Sequence, residues 1–110
     1  MKLICVPLTL NAMSLLDLDN CPESLLESVT LTNEEHQTLL RSGALNAINS
    51  TIGTMIDDYE DENIKSIEDL RKAIKVLEDH LTLENSKTIK KLIHLSTIAI
   101  KKQTGLFFFF

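Results

Sequence analysis

The sequence predicts a mainly α-helical protein (α+β minor), a bundle of three to four antiparallel helices with short N- and C-terminal strands paired beside it. Three stretches of the chain carry apolar residues in steps of three or four, the period of an amphipathic helix. The connections between these stretches are short, which favours antiparallel neighbours. The 110 residues, 44% of them hydrophobic and 25% charged, predict a single compact domain over residues 1–110.

The first element is predicted to be a strand over residues 3–10, which are apolar and rich in β-branched side chains. Pro7 has no backbone N–H, so this strand should lie at a sheet edge or break at Pro7. Residues 11–31 give no clear pattern, except that Pro22 suits a first helical turn and predicts a short helix over 22–29.

Cysteine content and hydropathy indicate the compartment. Cys5 and Cys21 are too few for a disulfide framework and are expected to be reduced thiols in a cytoplasmic protein. The sequence has no run of about 18 apolar residues, so neither a membrane-spanning helix nor a membrane partner is expected.

The clearest helix start is Thr32, because Glu35 follows three residues later and completes a capping box. Apolar residues at helical spacing then predict one long amphipathic helix over about 33–59. Gly43 and Gly53 are its weak points, since each glycine costs a helix about 1 kcal/mol relative to alanine.

Two further helices complete the predicted bundle. Ser66 and Asp69 form a second capping pattern, followed by an apolar seam at Ile67, Leu70, Ile74, Leu77 and Leu81. Ser86 is predicted to cap a third long helix that has lysines in its last turn and ends at Gly105. Residues 106–110 (LFFFF) then form a strand that we predict to pair with residues 3–10.

Charge is distributed unevenly along the chain. Residues 1–62 hold eleven acidic and two basic side chains, whereas residues 63–110 hold five acidic and nine basic ones. The densest cluster, called here the acidic segment, consists of Asp57, Asp58, Tyr59, Glu60, Asp61 and Glu62. It is predicted to lie at or just past the carboxyl end of the long helix, where negative charge opposes the helix dipole.

Several interpretations of the acidic segment are open. It could be a solvated loop between helices, or a calcium loop, although Asn63 stands where such a loop needs glycine. Paired carboxylates could serve acid–base chemistry, but no nucleophile or oxyanion donor accompanies them. The favoured interpretation is a docking surface for a basic protein, with Tyr59 as its aromatic anchor.

The third helix presents a basic face formed by Lys87, Lys90, Lys91, His94 and Lys101. A solvated outer face is favoured over nucleic-acid binding, because no arginine or aromatic residue interleaves these lysines. They could also pair with the acidic segment, within one chain or between copies. No metal-binding or phosphate-binding motif occurs in the sequence, so neither a metal nor another cofactor is expected.

In size and charge, though in no sequence motif, the chain is similar to bacterial immunity proteins and antitoxins, which block nuclease toxins through acidic surfaces. That similarity implies a non-catalytic inhibitor, monomeric or weakly self-associating, that covers a basic surface of its partner. The first alternative is a self-associating structural or adaptor subunit. The second is a small enzyme or metal-binding protein that uses the carboxylates of residues 57–62.

Overall fold

The computed structural model describes residues 2–110, which form five helices and a four-stranded antiparallel sheet. The strands are β1 (Lys2–Pro7), β2 (Leu26–Leu31), β3 (Asp61–Ile64) and β4 (Leu106–Phe109). The helices are α1 (Leu10–Asp17), α2 (Asn33–Arg41), α3 (Ala44–Ile52), α4 (Ile67–Asp79) and α5 (Ser86–Lys102). The fold is therefore α+β, and the prediction of a helical bundle with minor strands is wrong.

The sheet has the order β2-β1-β4-β3 with every neighbouring pair antiparallel. The predicted pairing of the two ends of the chain is confirmed, since Ile4 in β1 lies opposite Phe108 in β4. Strand β1 is central and not an edge strand, and it ends at Pro7, opposite Leu26. On the other side of β1 the pairing with β4 has already ended at Cys5, opposite Phe107. The N–H of Leu8 still donates to the carbonyl of Leu25 (2.9 Å), so the N–H that Pro7 lacks would face the side without a partner strand, and proline is tolerated there.

The predicted helix over 22–29 is wrong. Only a single 3₁₀ turn follows Pro22, at Glu23–Leu25, and the chain then enters β2. Six consecutive residues of β2 pair with β1, so the ladder outweighs the weak local helix signal of Pro22.

The predicted long helix over 33–59 is divided into two helices and a strand. Gly43 (φ +79°) and Gly53 (φ +75°) adopt the left-handed conformation and mark the start and the end of α3. The chain then runs without helix to β3, which pairs with β4.

Helices α4 and α5 lie at their predicted positions, but Ser86 is the first residue of α5 and not its cap, since Asn85 occupies the N-cap position. The hydroxyl of Ser66 caps α4 by accepting from the N–H of Asp69. Helix α5 carries Lys101 and Lys102 in its last turn, as predicted, but Gln103 ends it and not Gly105. At Gly105 a Cβ atom would lie 3.0 Å from the carbonyl oxygen of Ile64, so glycine allows the close approach of the chain at the end of β3.

The two faces of the sheet have different coverings. On the inner face, Ile4, Val6 and Phe108 join the core cluster that helices α2 to α5 complete. On the outer face α1 packs against β1, and Cys5 is buried there outside that cluster. Within residues 2–110, no helix has the length and apolarity needed to cross a membrane.

Candidate protein-binding surface

The acidic segment lies at the edge of the sheet and not at a helix end. Residues 57–60 form the end of the loop after α3, and Asp61 and Glu62 begin the edge strand β3. The predicted position was wrong because Gly53 ends α3 well before the carboxylates. Their charges therefore do not oppose a helix dipole.

Asp58 is directed back toward the protein. Its Oδ1 atom lies 3.4 Å from Nζ of Lys2 and 3.2 Å from Nε2 of His36. His36 is 3% exposed, and its ring meets the edge of the Phe110 ring at a centroid distance of 5.1 Å. Within the described residues, neither Nε2 of His36 nor Oδ1 of Asp58 has a hydrogen bond of good geometry.

Burial lowers the pKa of His36, and the positive charge of Lys2 lowers it further, while the carboxylate of Asp58 opposes both effects. The net effect favours the neutral form of His36. Within residues 2–110, the acidic segment has this imidazole beneath it and the ammonium of Lys2 beside it.

Tyr59 is held in a defined backbone conformation although its side chain is 91% exposed. Its φ angle is +64°, and its N–H donates to the carbonyl oxygen of Phe110 (3.1 Å). The ammonium of Lys2 lies 4.8 Å from the ring centroid and donates to the same carbonyl (3.1 Å). The aromatic ring is therefore displayed at the surface from an anchored turn.

Glu62 has a structural role in this loop. Its two carboxylate oxygens accept from the backbone N–H groups of Met55 (2.8 Å) and Asn63 (2.9 Å). Asn49 of α3 fixes the same loop, since its amide oxygen accepts from the N–H of Ile56 and its amide nitrogen donates to the carbonyl of Ile56. The loop is thereby joined to both α3 and β3.

The other three carboxylates of the acidic segment are those of Asp57, Glu60 and Asp61. All three residues are exposed, and none forms an ion pair with any part of the chain that the structure describes. Together with Tyr59 they form what we call the acidic surface. Asp57 accepts a hydrogen bond from the N–H of Asp58 (2.8 Å), but none of the three carboxylates is neutralised by a cation from the described residues, so each can pair with a cationic partner.

Two grooves border the acidic surface. The first has a volume of about 300 Å³, and Asp57 and Glu60 line it above apolar side chains that include Leu45 and Ile56. The second has a volume of about 210 Å³ and opens on the outer face of the sheet. Its lining includes Asp61 together with Asp17 and Asp19 from the end of α1, and the rings of Phe107 and Phe109.

Several of these residues were not predicted from the sequence. Asp17 and Asp19 lie about forty positions before the acidic segment in the sequence, and no local pattern links them to it. The excess of acidic side chains over residues 1–62 was the one signal that could have suggested their participation. Lys2 and His36 reach the segment through the sheet and α2, which sequence spacing does not reveal.

The basic face of α5 remains separate from the acidic segment. Lys91 pairs with Glu35 of α2 (2.8 Å), whereas Lys87, Lys90, His94 and Lys101 are exposed. The hydrogen bond from Lys91, followed by the backbone bond from Thr32, lowers the pKa of the Glu35 carboxyl. The pairing of these lysines with the acidic segment, which the sequence left open, does not occur within the described chain.

Over residues 2–110, no three His, Cys, Asp or Glu side chains are grouped so that they could hold a metal ion. Comparisons with protein-family models, with curated proteins and with solved structures found no match to this chain.

Proposed function

We propose that this protein binds a cationic protein partner through its acidic surface. The interaction would be that of an immunity or antitoxin-type inhibitor, which covers a basic surface of a partner such as a nuclease toxin. The single observation that carries the proposal is that three exposed carboxylates, those of Asp57, Glu60 and Asp61, have no ion pair within residues 2–110 and accompany the exposed side chain of Tyr59.

The anchoring of the loop supports this proposal. Asp58 and Glu62 direct their carboxylates back toward the chain, and the N–H of Tyr59 is bonded to Phe110. The remaining carboxylates are therefore presented from a backbone that is already ordered. Such preorganisation reduces the entropy that binding must overcome.

The charge of the acidic surface also supports the proposed binding of a cationic protein. Exposed carboxylates of one sign accelerate encounter with a cationic protein and disfavour anionic partners. An exposed aromatic residue at the centre of such a surface is typical of a binding hot spot. Tyr59 is exposed and lies between Asp58 and Glu60 in the sequence, next to the carboxylates of the acidic surface.

The test is capture of partners from an extract of the protein's own cells with three immobilised baits. The first is the wild type, and the second carries Asp57→Asn, Glu60→Gln and Asp61→Asn. The third is a matched control with Glu27→Gln, Glu78→Gln and Glu84→Gln, which removes three exposed carboxylates elsewhere on the molecule.

The proposal predicts that a basic protein is retained by the wild type and the control and is lost with the second bait. Equal retention by all three baits, each with an intact fold by circular dichroism, would contradict it. Both variants remove three exposed carboxylates, at different places on the molecule, so a general effect of net charge cannot produce the predicted result.

A self-associating subunit is the second candidate, favoured by the exposed lysines of α5, whose charge is opposite to that of the acidic surface. Light scattering over a salt series separates the two candidates. Association between copies through these charges would weaken as salt screens them. A monomer at every salt concentration would exclude this candidate.

A further inference from the structure

The second groove, on the outer face of the sheet, combines carboxylates with an aromatic floor. We propose that it takes one arginine or lysine side chain of the cationic partner, with the charged group between Asp19 and Asp61 and over the ring of Phe109. This inference rests on the proposed function and assigns a specific contact within it.

The register of the sheet places a carboxylate beside an aromatic ring. Asp61 in β3 lies directly opposite Phe109 in β4. Opposed residues of an antiparallel pair project to the same face, with Cβ atoms about 5 Å apart. Both side chains line the groove, so a cation that enters it meets the carboxylate and the ring together.

The protein already holds a cation in a similar way at Phe107, two residues before Phe109 on the same face of the sheet. Phe107 stacks near Phe109, with ring centroids 6.4 Å apart and planes inclined by 19°. The ammonium of Lys65 lies 5.5 Å from the centroid of Phe107 and 3.2 Å from a carboxylate oxygen of Asp17. This face therefore accommodates a lysine between an aromatic ring and an aspartate.

A second internal example lies nearby, at the turn of the acidic segment. The ammonium of Lys2 is 4.8 Å from the centroid of the Tyr59 ring and 3.4 Å from Oδ1 of Asp58. The arrangement of ring, ammonium and carboxylate thus occurs twice within residues 2–110. Phe109 and Asp61 repeat the ring and the carboxylate without a cation from the described residues.

The charge balance of the groove also favours a cation. Asp17 is neutralised by Lys65, whereas Asp19 and Asp61 have no ion pair within residues 2–110. Phe107 and Phe109 form an apolar part of the groove wall, and the low dielectric constant of such surroundings strengthens attraction between opposite charges. A cationic head group is therefore the complement of this surface.

The dimensions suit a side chain better than a free metabolite. The volume of about 210 Å³ lies below the range of about 300–1,000 Å³ that is typical of small-molecule sites. The methylene stem of an arginine or lysine would cover apolar surface while its charged end reaches the carboxylates.

The experiment uses N-acetylarginine amide as the probe and records amide chemical shifts of the ¹⁵N-labelled protein. N-acetylnorleucine amide, which has a similar apolar stem but no charge, is the comparison ligand. We expect saturable shifts at Asp19, Asp61 and Phe109 with the arginine compound and none with the norleucine compound. Shifts confined to the first groove, at Asp57 and Glu60, would overturn the assignment.

Substitutions at Phe109 and Asp19 measure separately how the aromatic ring and the carboxylate contribute to arginine binding. Phe109→Leu removes the ring without changing charge and should weaken arginine binding about two- to fivefold, the size of an exposed cation–π contact. Phe109→Tyr keeps a ring and should retain binding. Asp19→Asn should also weaken binding, and it preserves the backbone because asparagine tolerates the φ of +54° at this position.

The matched control is Glu27→Gln on β2, at the opposite edge of the sheet. It should leave arginine binding unchanged. Unaltered binding in both Phe109→Leu and Asp19→Asn, with dispersed spectra that show an intact fold, would overturn the inference.

Failure of this inference differs from failure of the proposed function. Suppose that the triple variant at Asp57, Glu60 and Asp61 loses the captured partner while Phe109→Leu and Asp19→Asn retain it at full affinity. The groove assignment is then wrong and the proposed function stands. If the triple variant retains the partner, the proposed function is wrong, and arginine binding at the groove no longer represents a partner contact.

Discussion

The imidazole of His36 and the carboxylate of Asp58 lie 3.2 Å apart, although His36 is buried in the domain and Asp58 belongs to the surface loop. This contact connects the acidic segment, to which Asp58 belongs, with the interior of the domain. Lys2, which contacts the same carboxylate at 3.4 Å, joins it to the first strand of the sheet. The conformation of the loop therefore depends on groups that lie below it.

Stability is predicted to decrease as the pH falls below about 6.5, the ordinary pKa of histidine. Burial lowers the pKa of His36 in the folded state, so the unfolded chain binds the proton at a higher pH than the folded one. The contribution of His36 to the free energy of unfolding is complete above the pKa that this histidine has in the unfolded chain. It is lost as the pH falls through the lower pKa of the folded state. Thermal melts from about pH 7.5 to about pH 5 should show a falling Tm.

The variant that tests this assignment is His36→Gln, which should flatten the decline in Tm. His94→Gln is the matched control, because His94 is exposed on α5 and should leave the decline unchanged. An equal slope in His36→Gln and the wild type would show that another group controls the pH dependence.

Removal of the Asp58 carboxylate is predicted to destabilise the fold, whereas removal of the adjacent Asp57 carboxylate is not. Asp58→Ala removes the carboxylate beside the ammonium of Lys2, whose side chain is 17% exposed, and should cost about 1 kcal/mol in urea unfolding. Asp57→Ala removes an exposed carboxylate that accepts only a solvent-exposed hydrogen bond from the N–H of Asp58, and it should remain within about 0.5 kcal/mol of the wild type. Equal free energies of unfolding for the two variants would contradict this distinction.

A side chain at position 105 is predicted to disturb the junction of β3 and β4. The Cβ atom of Gly105→Ala would lie 3.0 Å from the carbonyl oxygen of Ile64 and 3.3 Å from the ring of Phe107. Overpacking of this kind costs about 1–3 kcal/mol, measurable by urea unfolding. Gly53→Asn is the control, since the site is open and asparagine tolerates its positive φ, and the predicted loss is below about 1 kcal/mol.

Deletion of residues 106–110 is predicted to abolish cooperative folding or solubility. Strand β4 lies between β1 and β3, so its loss separates the edge strand from the sheet and exposes the core. The single change Phe108→Ala, at a side chain that is 1% exposed, should already cost about 3–5 kcal/mol. A soluble truncated protein with an unchanged Tm would contradict the role of this strand.

Capping patterns and apolar periodicity involve residues close together in the sequence, and they predicted elements correctly where such short-range interactions decide the structure. The capping pattern at Ser66 and the seam at Leu70 and Leu77 fixed α4, and the apolar tail predicted the pairing of β4 with β1. Strand β3 (Asp61–Ile64) was missed because three of its four residues are polar and its pairing partners lie more than forty positions later. Because β2 and β3 complete a four-stranded sheet, the fold is α+β and not the predicted helical bundle.

The residues of the candidate surface were also predicted only in part. Composition identified the acidic segment and Tyr59, but it did not separate the buried role of Asp58 from the exposed position of Glu60. That distinction depends on Lys2 and His36, which long-range packing brings to the segment.

The most direct test of the binding function is the affinity of the captured partner over a salt series. The wild type and the variants Asp57→Asn/Glu60→Gln/Asp61→Asn and Glu27→Gln/Glu78→Gln/Glu84→Gln would be compared by titration calorimetry. The acidic surface predicts that the first triple variant binds about tenfold more weakly and has a flatter salt dependence, while the second resembles the wild type. Identical affinities and salt slopes for all three proteins would contradict a role of the acidic surface in binding.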